Sequence, residues 1–125
     1  MSRPGFALLA LLLLLPTAGA WAADPLGGEA RRVNKPLIVD FGMTRCLQCL
    51  QQAKTMERLR QTLGDRVLVR FVHIGKEEEV AAAYKVLLIP TLAFFDAQGR
   101  EVFRNVGQME HDEMVAKARE LGLIE

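Results

Sequence analysis

The chain has 125 residues and a formal net charge of +1, with half its residues apolar and a quarter charged. That composition is one domain's worth of ordinary globular protein, and the near-neutral balance excludes the basic footprint that nucleic-acid binding needs. Only two cysteines are present, Cys46 and Cys49, so a small scaffold stapled by several spread-out disulfides is excluded too.

The chain opens with Arg3, an unbroken apolar run over residues 6–15, Pro16, and small residues at cleavage spacing in Ala18-Gly19-Ala20 and Ala20-Trp21-Ala22. This is the layout of a secretory signal peptide. The apolar run is too short for a membrane span, which takes about 20 residues. Residues 1–23 are therefore expected to be a signal peptide and residues 24–125 the folded domain.

Residues 24–34 read as an exposed lead-in with one helical turn. Pro36 then opens a nearly continuous apolar run, Leu37-Ile38-Val39-Asp40-Phe41, as expected of a strand buried on both faces. Asp40 is the anomaly in it. Residues 42–45 form a loop, and the pattern turns helical over 46–63, with Leu47, Leu50, Met56, Leu59 and Leu63 expected to be buried. Gly64 and Asp65 stop that helix. Residues 67–74 are the next strand, which completes a βαβ unit. A short helix follows over 77–86, with acidic residues in its first turn where the helix dipole favours them. After Ile89-Pro90-Thr91 come a strand over 92–95, a turn in Asp96-Ala97-Gln98-Gly99, and a returning strand over 101–106. Gly107 breaks the chain. A last helix over 110–121 carries Met114, Val115, Ala118 and Leu121 on one face. The order β-α-β-α-β-β-α predicts an α/β fold, a central mixed sheet flanked by helices on both faces.

Cys46-Leu47-Gln48-Cys49 lies just after a strand and at the start of a helix. A helix N-terminus stabilises a thiolate, the nucleophile of disulfide exchange, and Arg45 adds a positive charge beside it. Cys49, one turn on, is placed to attack a mixed disulfide and release the substrate. Two other readings fit less well. A closed zinc site wants four ligands, and His73 and His111, the only histidines, are not at ligand spacing. A purely structural disulfide across so short a loop removes little unfolded-state entropy.

Asp40, six residues before Cys46 in a buried strand, should have a raised pKa and could take the proton from Cys49 as that thiol attacks. The plainer alternative is a hydrated strand-end carboxylate that caps the next loop. Pro90 fits a strand start, and trans is the default for its peptide bond because cis is the minority isomer.

These residues resemble the thioredoxin family. Val39-Asp40-Phe41, Cys46-Leu47-Gln48-Cys49, Ile89-Pro90-Thr91 with Phe94-Phe95, and Val106-Gly107 occur in the family's order and spacing over most of residues 36–125. The resemblance implies the thioredoxin fold, with Cys46 as attacking and Cys49 as resolving cysteine and Asp40 as the buried acid that assists proton transfer. It also implies a cis Pro90 beside the disulfide, Ile89 offering backbone hydrogen bonds to a bound peptide, and Gly107 lining the substrate groove.

Four departures stand out. Arg45 replaces the tryptophan usual before the pair, and Leu-Gln replaces Gly-Pro between the cysteines. Lys54 stands near where a helix proline is expected. Phe71 takes the place of the lysine that would face Asp40, which should leave the carboxylate more desolvated. The expected activity is a thiol–disulfide oxidoreductase acting on protein disulfide or dithiol clients, more reductase than oxidant. Its expected setting is an exported compartment, the bacterial periplasm first, with a membrane-linked electron donor. It is expected to be a monomer with no cofactor, metal or nucleic acid. The alternative is a non-enzymatic module that binds clients or assists maturation of a cytochrome or copper protein.

Overall fold

The computed structural model describes residue 1 and residues 24–125. The proposed signal peptide lies outside the described residues. Among the described residues, no helix is long and apolar enough to cross a membrane. The elements in chain order are α1 (Pro25–Val33), β1 (Leu37–Gly42), α2 (Leu47–Leu63), a 3-10 turn (Gly64–Arg66), β2 (Leu68–His73), α3 (Glu78–Ala83), β3 (Thr91–Phe95), β4 (Glu101–Val106) and α4 (His111–Glu120).

The four strands form one sheet in the order β2-β1-β3-β4. β1 runs parallel to β2 with Asp40 opposite Phe71, and antiparallel to β3 with Asp40 opposite Leu92. β3 and β4 form the expected hairpin. Every residue of β1 and β3 is buried, as the apolar runs require of central strands covered on both faces.

Alternation along the strands divides the core in two. On one face Ile38, Leu92 and Phe94 pack against Met56, Leu59 and Leu63 of α2 and Met114, Val115 and Ala118 of α4. On the other face Leu37, Val39, Phe41, Ala93 and Phe95 pack against Leu26 and Ala30 of α1, with Val80 and Tyr84 at the edge. The result is three layers, helix on sheet on helix. The mixed sheet flanked by helices is as the sequence implied.

Residues 24–34 depart from expectation. They are not an exposed lead-in but a nine-residue helix whose Leu26 and Ala30 are fully buried. Asp24 caps it by accepting from the Gly27 N–H at 3.2 Å, and Pro25 occupies the first helical position, where its missing N–H costs nothing. The decisive support comes from far along the chain. The Tyr84 hydroxyl accepts from the Leu26 N–H at 2.9 Å and donates to Asp24 Oδ1 at 2.5 Å. Gly27 and Gly99 touch backbone to backbone, and a Cβ on either would collide with the other's carbonyl oxygen. These contacts exist only in the folded chain, so local periodicity understated the helix.

The phase of α2 also differs. Its buried residues are Cys49, Gln52, Met56, Leu59 and Leu63, whereas Leu47 and Leu50 are exposed. The buried stripe starts from Cys49 and faces the sheet and α4, and Cys46 is the N-cap: its Sγ accepts from the Cys49 N–H at 3.2 Å.

Candidate functional site

Cys46 and Cys49 form a disulfide across the first turn of α2, with Cα atoms 5.1 Å apart. Cys46 is partly exposed and Cys49 is buried. An outside group can therefore reach the first sulfur while the second stays covered. Arg45 is exposed beside Cys46 and has no ion-pair partner among the described residues.

Gly42, at the end of β1, lies directly under the pair: a Cβ there would sit 3.4 Å from Cys49 Sγ and 3.1 Å from the Phe71 ring. Asp40 is two residues back on the same face of the strand, so it points into the layer beneath Cys49. It is fully buried, and neither carboxyl oxygen has a hydrogen-bond partner among the described residues. Desolvation pushes its pKa up to about 7. This is the raised value the sequence led one to expect, and the cause is the expected one: Phe71, its cross-strand neighbour, supplies no charge or donor. Asp40 lies inside β1 and is fully buried, not at a solvent-exposed strand end.

Pro90 is buried and its bond to Ile89 is cis. The trans default is thus corrected in favour of the isomer the resemblance implied, because tertiary packing rather than local preference selects it. Ile89 is partly exposed. The Pro90 carbonyl accepts from the Gly107 N–H at 2.8 Å, so two residues seventeen apart in sequence sit together. Gly107 has φ +104, a backbone region that favours glycine, and nothing lies within 4 Å of where its Cβ would be. The next side chain, Gln108, donates to the carbonyl of Gln48, between the two cysteines, at 3.3 Å. The fold thus joins Ile89-Pro90, Gly107 and the cysteine turn into one locality. Exposed Leu47, Leu50, Leu87, Leu88 and Val106 lie on the same elements.

One residue of this locality was missed. Gln52 is 1% exposed; its side-chain amide donates to the Met109 carbonyl at 3.1 Å and accepts from the Met109 N–H at 2.9 Å. A stripe phased on Cys49 would have placed it in the core at helical spacing, flagging a buried amide. His73 and His111 lie apart, at the end of β2 and the start of α4. Among the described residues no cluster of three or more His, Cys, Asp or Glu could hold a metal.

Comparison with known proteins agrees with this geometry. Residues 28–122 match the family model of the thioredoxin-like domain. The chain is 27% identical over 89 residues to a thioredoxin of Alicyclobacillus acidocaldarius subsp. acidocaldarius, covering 71% of this chain and 84% of that protein. It is 37% identical over 78 residues to the thiol:disulfide interchange protein DsbD of Salmonella paratyphi A. That match takes in 58% of this chain but spans only 14% of DsbD. Among solved structures, the X-ray structure of Fasciola hepatica thioredoxin superposes with a TM-score of 0.66 at 27% identity, over 74% of this chain and 88% of that one. Chloroplastic thioredoxin z shares the fold with a TM-score of 0.67 at 21% identity, over 76% of this chain and 86% of that one. With a family match that runs from α1 past α4 and takes in the disulfide, Asp40, Pro90 and Gly107, the chain belongs to the thioredoxin-like domain family.

Proposed function

We propose that this protein is a thiol–disulfide oxidoreductase that reduces disulfides of client proteins, with Cys46 as nucleophile, Cys49 as resolving thiol and Asp40 as its proton acceptor. The family and the cysteine pair support thiol–disulfide exchange in general terms. The observation that carries the finer reading is the stacking of a reachable Cys46 over a covered Cys49 over an unpartnered, buried Asp40.

The steps balance as follows. In the reduced protein the Cys46 thiolate attacks one sulfur of a client disulfide. A mixed disulfide forms and the client's other sulfur leaves as a thiolate. Cys49 then passes its proton to Asp40 and attacks Cys46 Sγ. The client's second sulfur leaves as a thiolate, the two client sulfurs take up protons from Asp40 and from solvent to give a dithiol, two electrons richer, and the Cys46–Cys49 disulfide remains. A carboxyl with a pKa of about 7 is matched to accepting a proton near neutral pH. Ile89 supplies backbone groups, and Gly107 leaves open space, for an extended client segment.

The direction rests on electrostatics. A strongly oxidising pair needs a strongly stabilised thiolate, and Arg45 beside Cys46 is exposed, where solvent and salt screen it. The pair then holds its electrons loosely enough to give them away. Export to the periplasm, read from residues 1–23, would require a membrane-linked donor to re-reduce it, since that space is oxidising.

The test is the reduction potential of residues 24–125, equilibrated in dithiothreitol buffers with thiol trapping. A value near about −270 mV supports the reductase, and one near about −120 mV reverses the direction. Absence of any two-electron transition at Cys46 and Cys49 would leave only a client-binding module.

A further inference from the structure

Gln52 lies on the buried face of α2, among Met56, Met109 and Met114 of the core. A leucine there would simply extend that core. The glutamine instead must recover the cost of desolvating its amide, and it does so with a two-way bridge to Met109: N–H to carbonyl at 3.1 Å and carbonyl to N–H at 2.9 Å. Its Nε2 also donates to Met114 Sδ at 3.9 Å. The bridge imitates a pair of backbone hydrogen bonds between a helix and a segment that has no strand or helix of its own.

That segment is the connection between β4 and α4, residues 107–110. Its other anchors run to Pro90, to the cysteine helix and to Asn105. Gly107 donates to the Pro90 carbonyl at 2.8 Å. The Gln108 side chain donates to Gln48 O at 3.3 Å and to Gln51 Oε1 at 3.2 Å. Asn105 donates to the Gly107 carbonyl at 3.0 Å. Among these ties, those to Gln48 and Gln51 are exposed, where water competes. The Gln52 bridge is the buried one, three residues after Cys49 on the same helix face.

We propose that Gln52 is a positioning residue for client binding: its buried bridge to Met109 holds the Gly107 wall of the groove at a set distance from the Cys46–Cys49 turn. The proposal rests on the oxidoreductase reading of this site. Gln52 touches no reacting sulfur, so its loss acts on the grip of an extended protein segment more than on the exchange chemistry. A small disulfide that does not span from Gly107 to Cys46 is affected less.

The test compares wild type with Gln52→Leu and Gln52→Glu in residues 24–125, using insulin and glutathione disulfide as substrates and dithiothreitol as electron source. Gln52→Leu is expected to raise KM for insulin about tenfold while kcat falls by no more than about twofold. The ratio of insulin to glutathione-disulfide kcat/KM falls by the same order. Gln52→Glu, which keeps the acceptor for the Met109 N–H but loses the donor, is expected to lie between the two at neutral pH and to move toward wild type as acid restores its proton. An unchanged insulin KM in a folded variant overturns the proposal, as does an equal loss on both substrates. If the leucine variant does not fold, the glutamate variant decides alone, and a wild-type KM in it at alkaline pH, where its carboxyl is ionised, is equally fatal. A wild type inactive on insulin fails the oxidoreductase reading first, before any variant is compared.

Discussion

Two aspartates sixteen residues apart, Asp24 and Asp40, mark two ends of the molecule built on opposite terms. At the start of α1, burial alone would raise the pKa of Asp24, but hydrogen bonds from Tyr84, Arg31 and the Gly27 N–H outweigh it and hold the carboxyl below its ordinary value. Its neighbour Tyr84 is pushed up to about 12, by burial first and then by the hydrogen bond to Asp24. Under the disulfide, Asp40 is fully buried with neither oxygen satisfied, and its pKa rises to about 7. One end is fully paired and contributes stability. The other carries an uncompensated desolvation that the rest of the fold must outweigh, which is typical of sites kept for chemistry.

The largest contrast to test is chemical. Cys46→Ser should abolish insulin reduction, and Cys49→Ser should accumulate mixed disulfides with clients, visible by non-reducing electrophoresis. Relative to the oxidised wild type, either variant should lose no more than about 2 kcal/mol of stability, because the loop the disulfide closes is so short. Full turnover by Cys46→Ser would remove the mechanism altogether.

Next comes Asp40→Asn. The native carboxyl keeps its proton to about pH 7, whereas the unfolded one releases it near pH 4. The unfolded chain therefore binds fewer protons between those values, and wild-type stability falls as pH rises through that window and levels off above it. The asparagine variant lacks this fall. Denaturant unfolding should find it more stable than wild type by on the order of 4 kcal/mol at pH 8 and nearly equal to it at pH 4. Its turnover should lose the inflection near pH 7 that a titrating proton acceptor imparts. A wild-type stability that is flat between pH 4 and pH 8 would contradict the buried, unpaired carboxylate.

Tyr84→Phe tests the paired end. It removes the bond to Asp24 and leaves the Leu26 N–H without its acceptor, so about 1–2 kcal/mol of stability should go. The pH dependence of this end has the opposite sign. Asp24, with its depressed pKa, contributes above the unfolded value and loses that contribution as acid protonates it. Acid thus loosens α1, while rising pH loads the disulfide end. Amide exchange in α1 followed between pH 3 and pH 6 would show whether the Tyr84 variant has lost that acid sensitivity.

The smallest effect is expected at Leu87, which is 90% exposed. Leu87→Ser should change stability by about 0.5 kcal/mol or less, since there is almost no burial to lose. A larger drop would mean that the apolar rim near Pro90 is packed in solution.

Much of this was legible along the chain. The apolar run 37–41 meant a strand buried on both faces, 92–95 a strand, and the Asp96–Gly99 turn a hairpin, because a period and a turn chemistry are local properties. Cys46 and Cys49 at the head of a helix could be read for the same reason: three residues of spacing in a helical turn bring their Cα atoms to 5.1 Å. Asp40 announced itself as a charge in an otherwise apolar run.

What the sequence determined by itself, then, is the order of elements from β1 onward, the cysteine pair and the anomaly beneath it, all set by neighbours within one or two turns of chain. The tertiary structure alone decided the rest. It made a helix of residues 25–33 through Tyr84 and Gly99. It chose cis at Pro90, turned Leu47 and Leu50 outward and Gln52 inward, and brought Gly107 against Pro90. Each of these depends on a partner far away in sequence, and local propensities of a kcal/mol or less give way when a long-range contact satisfies a buried polar group or fills the core.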